Sequence, residues 1–183
     1  MKVFFSIWFI LLFANPGLEK WNLASNSNVA IQGDSNVTDF TCNLNKIQNH
    51  PAVWISRKNN VMEFSNSIIL LPGEKFQCDN ALITSDFRDM IKIKEYPQIK
   101  IKMVRIDHLK HKTPTGIMDI SIAGTTKRKE WGLKVSEKTG HIHISGSNKL
   151  NLKEFNLKAP NKMFGLVKIE DVITIDFNFY LSR

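Results

Sequence analysis

Histidine is the residue in this sequence best suited to holding a metal ion, and four of the five histidines occur as two close pairs. His108 and His111 are separated by two residues, and His141 and His143 would point the same way from an extended strand. No cysteine or carboxylate completes a spacing typical of a zinc site. His141 and His143 also have the parity opposite to their apolar neighbours, which indicates a solvent-facing position. The sequence therefore predicts no metal site.

Groups that could perform covalent or acid–base catalysis form no recognisable pattern. The segment Ser145-Gly146-Ser147 lacks the surroundings of a nucleophile elbow, and no pair of carboxylates stands out. No phosphate-cradling loop or dinucleotide-binding fingerprint occurs. We therefore expect a protein that is not an enzyme and has no catalytic residues.

Three consecutive basic residues, Lys127, Arg128 and Lys129, form the basic run, which the pattern places in a turn between two strands. At the mouth of a barrel such residues would meet a diphosphate or another anionic head group. The alternative is a solvated hairpin tip without a ligand. These residues are the candidates for head-group recognition.

The chain as a whole is basic, with a formal charge of +8 and a pI near 9.5. The basic residues are scattered along strand-like segments and not collected into blocks, which argues against nucleic acid as the partner. Anionic lipid head groups or polyanionic glycans are better suited if the chain is exported, as its first residues predict. A simply solvated basic exterior is the alternative for most individual lysines.

The first residues have the pattern of a secretory signal peptide. Lys2 precedes the apolar run Val3–Ala14, and Asn15-Pro16-Gly17 follows it. The run is shorter than the roughly 18 residues of a membrane-spanning helix. We predict a signal peptide over residues 1–17, one domain over residues 18–183 and a periplasmic or secreted protein with no transmembrane segment in the mature chain.

Cys42 and Cys78 are the only cysteines, and both belong to the mature part. An even cysteine count in an exported chain favours a disulfide. Each cysteine stands two residues after a phenylalanine, in Phe40-Thr41-Cys42 and in Phe76-Gln77-Cys78. The two sulfurs can therefore meet if these segments are neighbouring strands. Two unpaired buried thiols are the alternative.

The elements that must position these residues are strands, and the clearest is the carboxy-terminal run Ile169–Leu181. Apolar and polar residues alternate along it, which is the period of a strand with one dry and one wet face. Phe177 and Phe179 belong to the dry face. A long strand at the end of a chain needs partners on both edges, which favours a closed sheet.

Similar alternation recurs through the chain and predicts an all-β fold of about eight strands, at the spacing found in sandwiches and barrels. The register changes at Val104-Arg105-Ile106, which predicts a β-bulge. One short helix is predicted to begin at Ser85 as its N-cap and to stop before Tyr96-Pro97. Because lysines occupy the wet faces, we expect an apolar interior, either filled by side chains or holding an elongated ligand.

Several motifs resemble those of the YceI-like family. They are Val29-x-Ile31-x-Gly33, Ser35-Asn36-Val37 with Phe40, Tyr96-Pro97-x-Ile99, Ser121-Ile122-Ala123-Gly124-Thr125-Thr126-Lys127, and Phe155-x-Leu157 with Gly165 and the final strand. The resemblance extends from about Leu23 to Leu181, although the region between Asn43 and Asn66 matches poorly. It implies an exported, lipocalin-like barrel that binds a polyisoprenoid or a similar amphiphile. It supplies no catalytic residues.

We accordingly predict that the protein sequesters an amphiphilic lipid, needs no cofactor besides such a bound lipid, and performs no chemistry on it. The residues expected to line the lumen are Phe40, Ile99, Ile101, Met103, Ile120, Ile122, Leu133, Ile142, Ile144, Ile173, Ile175, Phe177 and Phe179. The alternative is an envelope-stress or protein-interaction barrel with a filled core and no ligand. A continuous cavity of several hundred Å³ would distinguish the two.

Overall fold

The structure, a computed structural model, describes residues 17–36, 38–48, 51–158, 161–162 and 167–183. Nearly all of the predicted signal peptide lies outside these residues and stays a prediction. Within the described ranges, no helix has both the length and the apolar character needed to cross a membrane.

The described residues form fourteen strands and one α-helix, and every strand pair is antiparallel. The strands are β1 (Glu19–Leu23), β2 (Asn28–Ser35), β3 (Phe40–Leu44), β4 (Ala52–Lys58), β5 (Val61–Ser65), β6 (Ile68–Pro72), β7 (Gln77–Cys78), β8 (Gln98–Asp107), β9 (Thr115–Ile122), β10 (Thr125–Gly132), β11 (Lys134–Lys138), β12 (His141–Asn151), β13 (Asn161–Lys162) and β14 (Val167–Ser182). Helix α1 spans Ala81–Met90, and 3-10 turns span Gly73–Lys75 and Leu152–Phe155.

The pairing arranges these segments as a closed barrel. β1 and β2 lie end to end along β14, and they pair on their other side with β4 and β3. β5 joins β4 to β8, β6 pairs with β8, and β7 pairs with β3. β9 connects β8 to β10, and after Leu133 the chain continues as β11, which pairs with β12 and so returns to β14.

The predicted antiparallel, lipocalin-like all-β class is therefore confirmed. The number of strands differs from the expected eight because several positions around the barrel are occupied by two or three short strands in succession. We call each such position a row. Breaks divide single rows into β1 and β2, β3 and β4, β5 to β7, and β10 and β11. Thirteen of the strands thus form eight rows around the ring, and the short β13 pairs with β14.

The alternation predicted for the last strand is present in β14. Phe177 and Phe179 are 2% and 1% exposed, whereas Asp176 and Asn178, on either side of Phe177, are half-buried on the outer face. The Phe177 ring stacks on Phe179 at 4.9 Å and faces Trp131 at 6.2 Å between centroids. The dry face of β14 therefore packs into the core, as its period requires.

The helix begins earlier than the sequence predicted. Asn80 is the N-cap, and its side chain accepts a hydrogen bond from Ile83 N at 2.9 Å. Ser85 lies inside the helix, so its assignment as the cap was wrong. Helix α1 ends at Met90, and Lys92 follows with a φ of 54°. A left-handed residue ends the helix here, and not Tyr96-Pro97.

Two other local features correspond to their sequence patterns. The register between β8 and β9 shifts between Met103 and Arg105, at the position of the expected bulge. Cys42 on β3 lies directly opposite Cys78 on β7, and their sulfurs are joined in a disulfide. The disulfide ties β3 to the segment that immediately precedes α1.

Candidate functional site

A small gap in the core lies beneath α1, and we call it the apolar gap. Its cavity volume is about 30 Å³, which is room for roughly two water molecules. Its lining consists of sixteen apolar side chains: Val29, Ile31, Leu71, Phe76, Phe87, Met90, Ile91, Ile99, Ile101, Ile120, Ile122, Trp131, Leu152, Leu157, Ile173 and Ile175. The gap can therefore accept hydrocarbon and offers a polar ligand no partner.

The lining follows from the period of the strands that surround it. Inward residues of β2, β8, β9 and β14 contribute pairs two positions apart, such as Ile120 and Ile122. Helix α1 adds Phe87 and Met90 from its buried face, and the Leu152–Phe155 turn adds Leu152. These elements gather at one end of the barrel, which we call the helical end.

The thirteen predicted lumen residues divide into groups in the structure. Ile99, Ile101, Ile120, Ile122, Ile173 and Ile175 line the apolar gap. Met103, Ile144 and Phe179 line a second gap of about 10 Å³ further from α1, while Leu133, Ile142 and Phe177 are buried outside both gaps. Phe40 is only partly buried, because its ring lies across Gly33 at the edge of the sheet. Contact of any of them with a ligand remains a prediction.

The sequence did not single out the lining contributed by the helical elements. Phe87, Met90 and Ile91 show the spacing of an apolar helix face, and Leu152 and Leu157 stand in an apolar stretch. The helix-face spacing and the apolar stretch are both visible in the sequence, but the spacing of apolar residues does not reveal that a helix packs over the end of a barrel. That placement depends on tertiary contacts, such as the Phe76 and Phe87 rings at 5.2 Å.

The end of the barrel opposite α1 is closed by an ion-pair cluster around Trp21. Arg57 pairs with Glu19 at 2.7 Å and with Glu137 at 2.8 Å, and Arg183 pairs with Glu19 at 2.8 Å. Both guanidinium groups also lie over the Trp21 ring, at 5.7 and 4.8 Å from its centroid. A fully buried tryptophan under paired charges closes this end.

The pKa of Glu19 reflects this cluster. Burial acts to raise the pKa of the carboxyl group. Hydrogen bonds from Arg183, Trp21 and Arg57, together with the charge of Arg57, outweigh the burial and lower the pKa below its usual value. The carboxylate form of Glu19 is therefore the form that the closed end stabilises.

The basic run lies in a different element from the one predicted. The turn between β9 and β10 is Ala123–Gly124, and the run belongs to strand β10. Its placement in the turn was wrong because the strand ladder begins directly at Thr125, opposite Ile122. As strand residues, the three basic side chains must alternate between the two faces of the sheet.

Strand register separates Arg128 from its two neighbours. Arg128 lies opposite Asp119 on the outer face, and the two form hydrogen bonds of 2.8 and 3.0 Å. A hydrogen bond from Arg128, against a smaller effect of burial, lowers the pKa of Asp119. Lys127 and Lys129 lie opposite the buried residues Ile120 and Met118, so they belong to the inner face of β10.

Three of the histidines contact other side chains, and only His143 does so within the sheet. His143 stacks on Tyr180 at 4.4 Å between centroids, and its Nε2 lies 3.0 Å from Asn178 Oδ1. The rings of His108 and His111 lie 5.0 Å apart. Across the described ranges, no group of three or more metal-binding side chains occurs.

Comparison with known proteins was made at the level of family and of fold. A family model described as the YceI-like domain matches residues 24–181. No curated protein matches the sequence significantly.

Three solved structures illustrate the fold. A polyisoprenoid binding domain from Saccharophagus degradans superposes with a TM-score of 0.64 at 10% identity, covering 88% of this chain and 97% of that one. Burkholderia cenocepacia BcnA gives 0.62 at 13% identity, covering 84% and 95%. A Campylobacter jejuni YceI protein gives 0.56 at 15% identity, covering 100% and 93%. With the family match over most of the sequence and the same barrel in these structures, the chain belongs to the YceI-like family.

Proposed function

We propose that the protein binds an elongated amphiphile, with a polyisoprenoid as the type of tail, and holds it in the barrel without chemical change. The observation that carries this proposal is the apolar gap, whose lining is entirely apolar. Membership in the YceI-like family supports it, as does the likeness to a domain described as polyisoprenoid binding. Burial of a tail contributes about 25 cal/mol per Å² of apolar surface, so no specific polar contact with the tail is needed.

The size of the apolar gap adds a structural requirement. A cavity of about 30 Å³ is well below the roughly 300 Å³ or more of a small-molecule site. Binding therefore requires part of the lining to move. Helix α1 is the element best suited to do so, because Phe87 is the only one of its residues that is buried. Its other ties include Arg88 Nη2 to Glu74 O and Cys78 N to Thr84 Oγ1.

The small cavity also favours a second candidate function. A barrel whose core is nearly filled suits an interaction module that uses its outer surface and binds no lipid. The two candidates differ in one respect that can be measured, which is whether the protein takes up a long apolar molecule with defined stoichiometry.

We further propose that the protein is exported and acts in the periplasm or outside the cell. The signal-peptide pattern at residues 1–17 supports export. The disulfide between Cys42 and Cys78 fits the same proposal, because disulfides persist in oxidising compartments. Fractionation of cells that express the full chain, with cleavage of the leader read by mass spectrometry, tests it.

The lipid-binding proposal is tested by extraction and by titration. Purified protein is extracted with organic solvent and the extract analysed by mass spectrometry, and delipidated protein is titrated with geranylgeraniol. We expect a co-purified lipid and saturable binding. Repeated absence of both would leave the filled-core candidate.

A matched pair of substitutions on β14 locates the binding site. Ile175→Phe adds bulk to the apolar gap, whereas Thr174→Phe adds it to the neighbouring outward position. The first variant should bind geranylgeraniol more weakly and the second should bind it like the parent protein. Circular dichroism checks the fold, since overpacking costs about 1–3 kcal/mol. Equal binding by both variants would place the tail outside the gap.

A further inference from the structure

Strand β10 carries two lysines on the face that should be the interior of the barrel. Lys127 and Lys129 share this face with Trp131, which is buried and lines the apolar gap. Lys127 is nevertheless exposed, while the Lys129 side chain is only 15% exposed. The inner face of β10 is therefore open to solvent at Lys127, on the same strand as Trp131, which lines the gap.

Beside these lysines, side-chain contacts close the barrel wall. In a regular barrel, backbone hydrogen bonds between neighbouring strands would do so. β10 pairs with β9 on one edge, but among the described residues no ladder pair joins its other edge to β12. Instead, Lys129 pairs with Glu154 of the Leu152–Phe155 turn, and Asn156 Nδ2 donates to Thr125 Oγ1 at 3.3 Å. A wall made of side-chain contacts can open without breaking a backbone ladder.

The charges at this opening do not cancel. Glu154 faces Lys129, but within the described ranges no carboxylate lies within ion-pair distance of Lys127. Arg128 is directed to the outer face, where Asp119 holds it. Two ammonium groups and one carboxylate thus lie on β10 and on the Leu152–Phe155 turn, the elements whose Trp131 and Leu152 line the apolar gap.

We propose that Lys127 and Lys129 form the head-group site for an anionic amphiphile whose tail occupies the apolar gap, and that the head group displaces Glu154 from Lys129. This inference rests on the proposed lipid-binding function and adds the ligand's chemical class. Phosphate and diphosphate groups suit the site, because a lysine ammonium provides three donors and a full charge to a multiply charged anion. A neutral alcohol head group gains no comparable contact.

The proposal is tested with two ligands that share a tail and differ in the head group. Geranylgeranyl diphosphate and geranylgeraniol are titrated into the full mature protein and into Lys127→Gln/Lys129→Gln. We expect the double variant to lose about tenfold or more in affinity for the diphosphate, on the order of one charge-assisted hydrogen bond. Its affinity for geranylgeraniol should be unchanged.

Arg128→Gln is the matched control, since it removes a positive charge from the same strand on the other face. It should leave both affinities unchanged. An equal loss in Arg128→Gln and in the double variant would mean that only net charge matters and would overturn the head-group site.

Glu154→Gln tests the same site in the opposite direction. Removal of the competing carboxylate should strengthen diphosphate binding by a few fold, while geranylgeraniol binding stays constant. This variant keeps the proposal falsifiable if the double lysine variant folds poorly. Unchanged diphosphate affinity in Glu154→Gln would contradict displacement of the carboxylate.

Inorganic diphosphate, tested alone, separates the head group from the tail. Much weaker binding than that of the lipid diphosphate supports the proposed site. If inorganic diphosphate binds as tightly and depends on both lysines, the anion site exists but the lipid function fails. If the parent protein binds geranylgeraniol and the diphosphate equally, and the double lysine variant does the same, the lipid function stands and the head-group site is wrong.

Discussion

Glu19 shows how one residue at the closed end of the barrel depends on its neighbours. Its carboxylate accepts a hydrogen bond from Trp21 Nε1 at 3.2 Å and pairs with Arg57 and Arg183. These three partners come from β1, from β4 and from the last residue of the chain. The carboxylate therefore links both termini of the described domain across the end of the barrel.

The lowered pKa of Glu19 leads to a prediction about acid stability. A carboxyl group whose pKa is lower in the folded state stabilises the fold above its unfolded pKa, which is about 4.3, and loses that contribution as pH falls through the folded pKa. Glu19→Gln should therefore reduce the free energy of unfolding by roughly 1 kcal/mol near neutral pH, given that the ion pairs are partly exposed. The difference should shrink as the pH falls below the unfolded pKa, and it should vanish once the pH is below the lowered pKa of the folded state.

Urea denaturation of both proteins across this pH range measures the effect. Glu63→Gln is the control, because Glu63 is exposed on β5 and makes no ion pair with any described residue. It should change stability little at either end of the range. A Glu19→Gln deficit that is the same at both extremes of pH would show that packing, and not ionisation, explains it.

At the scale of elements, the start of helix α1 can be tested, because the structure has Asn80 as its N-cap and the sequence pattern predicts Ser85. Asn80→Ala removes the side-chain acceptor for Ile83 N and should lower the free energy of unfolding by about 1 kcal/mol. Ser85→Ala should have almost no effect, since Ser85 is not the cap. Thermal and urea denaturation measure both. A larger loss in Ser85→Ala than in Asn80→Ala would reverse the assignment of the helix start.

The strands were more predictable than the helix for a physical reason. A strand repeats every two residues, so Phe177 and Phe179 reveal their buried face without any knowledge of the partner strand. A helix start depends on which side chain reaches a free backbone N–H, and both Asn80 and Ser85 are of the residue types that can do so. Only the folded backbone decides between them.

The candidate site was predictable in its chemistry but not in its assembly. Alternation identified Ile120 and Ile122 as inward residues, and composition identified the basic run. The sequence placed the run in a turn, which would have given all three side chains similar surroundings. The ladder with β9 instead assigns Arg128 to one face and its two neighbours to the other. Long-range register determined that difference, and no local pattern contains it.

At the scale of the whole molecule, the two ends of the barrel are held by different forces. Charged side chains and Trp21 hold the end beside Arg183. The helical end is held mainly by apolar contacts and by the disulfide, which joins β3 to β7 just before Asn80, with a few hydrogen bonds such as that from Arg88 to Glu74 O. Because apolar contacts are not directional, the helical end can change its packing more readily than the charged end.

Removal of the disulfide should therefore affect stability and the helical end together. The two cysteines are 36 residues apart, and closing a loop of this length contributes about 3–4 kcal/mol through the entropy of the unfolded chain. Cys42→Ala/Cys78→Ala should lose that amount in urea denaturation, and reduction of the parent protein should lose a similar amount.

The native state should also change locally, because β7 leads directly into α1. Amide hydrogen exchange should accelerate first in β7 and α1, while β12 and β14 keep their protection until global unfolding. If the proposed lipid enters at this end, its uptake should become faster in the same variant. Uniform acceleration of exchange across all strands would mean that the disulfide stabilises only the barrel as a whole and does not hold the helix in place.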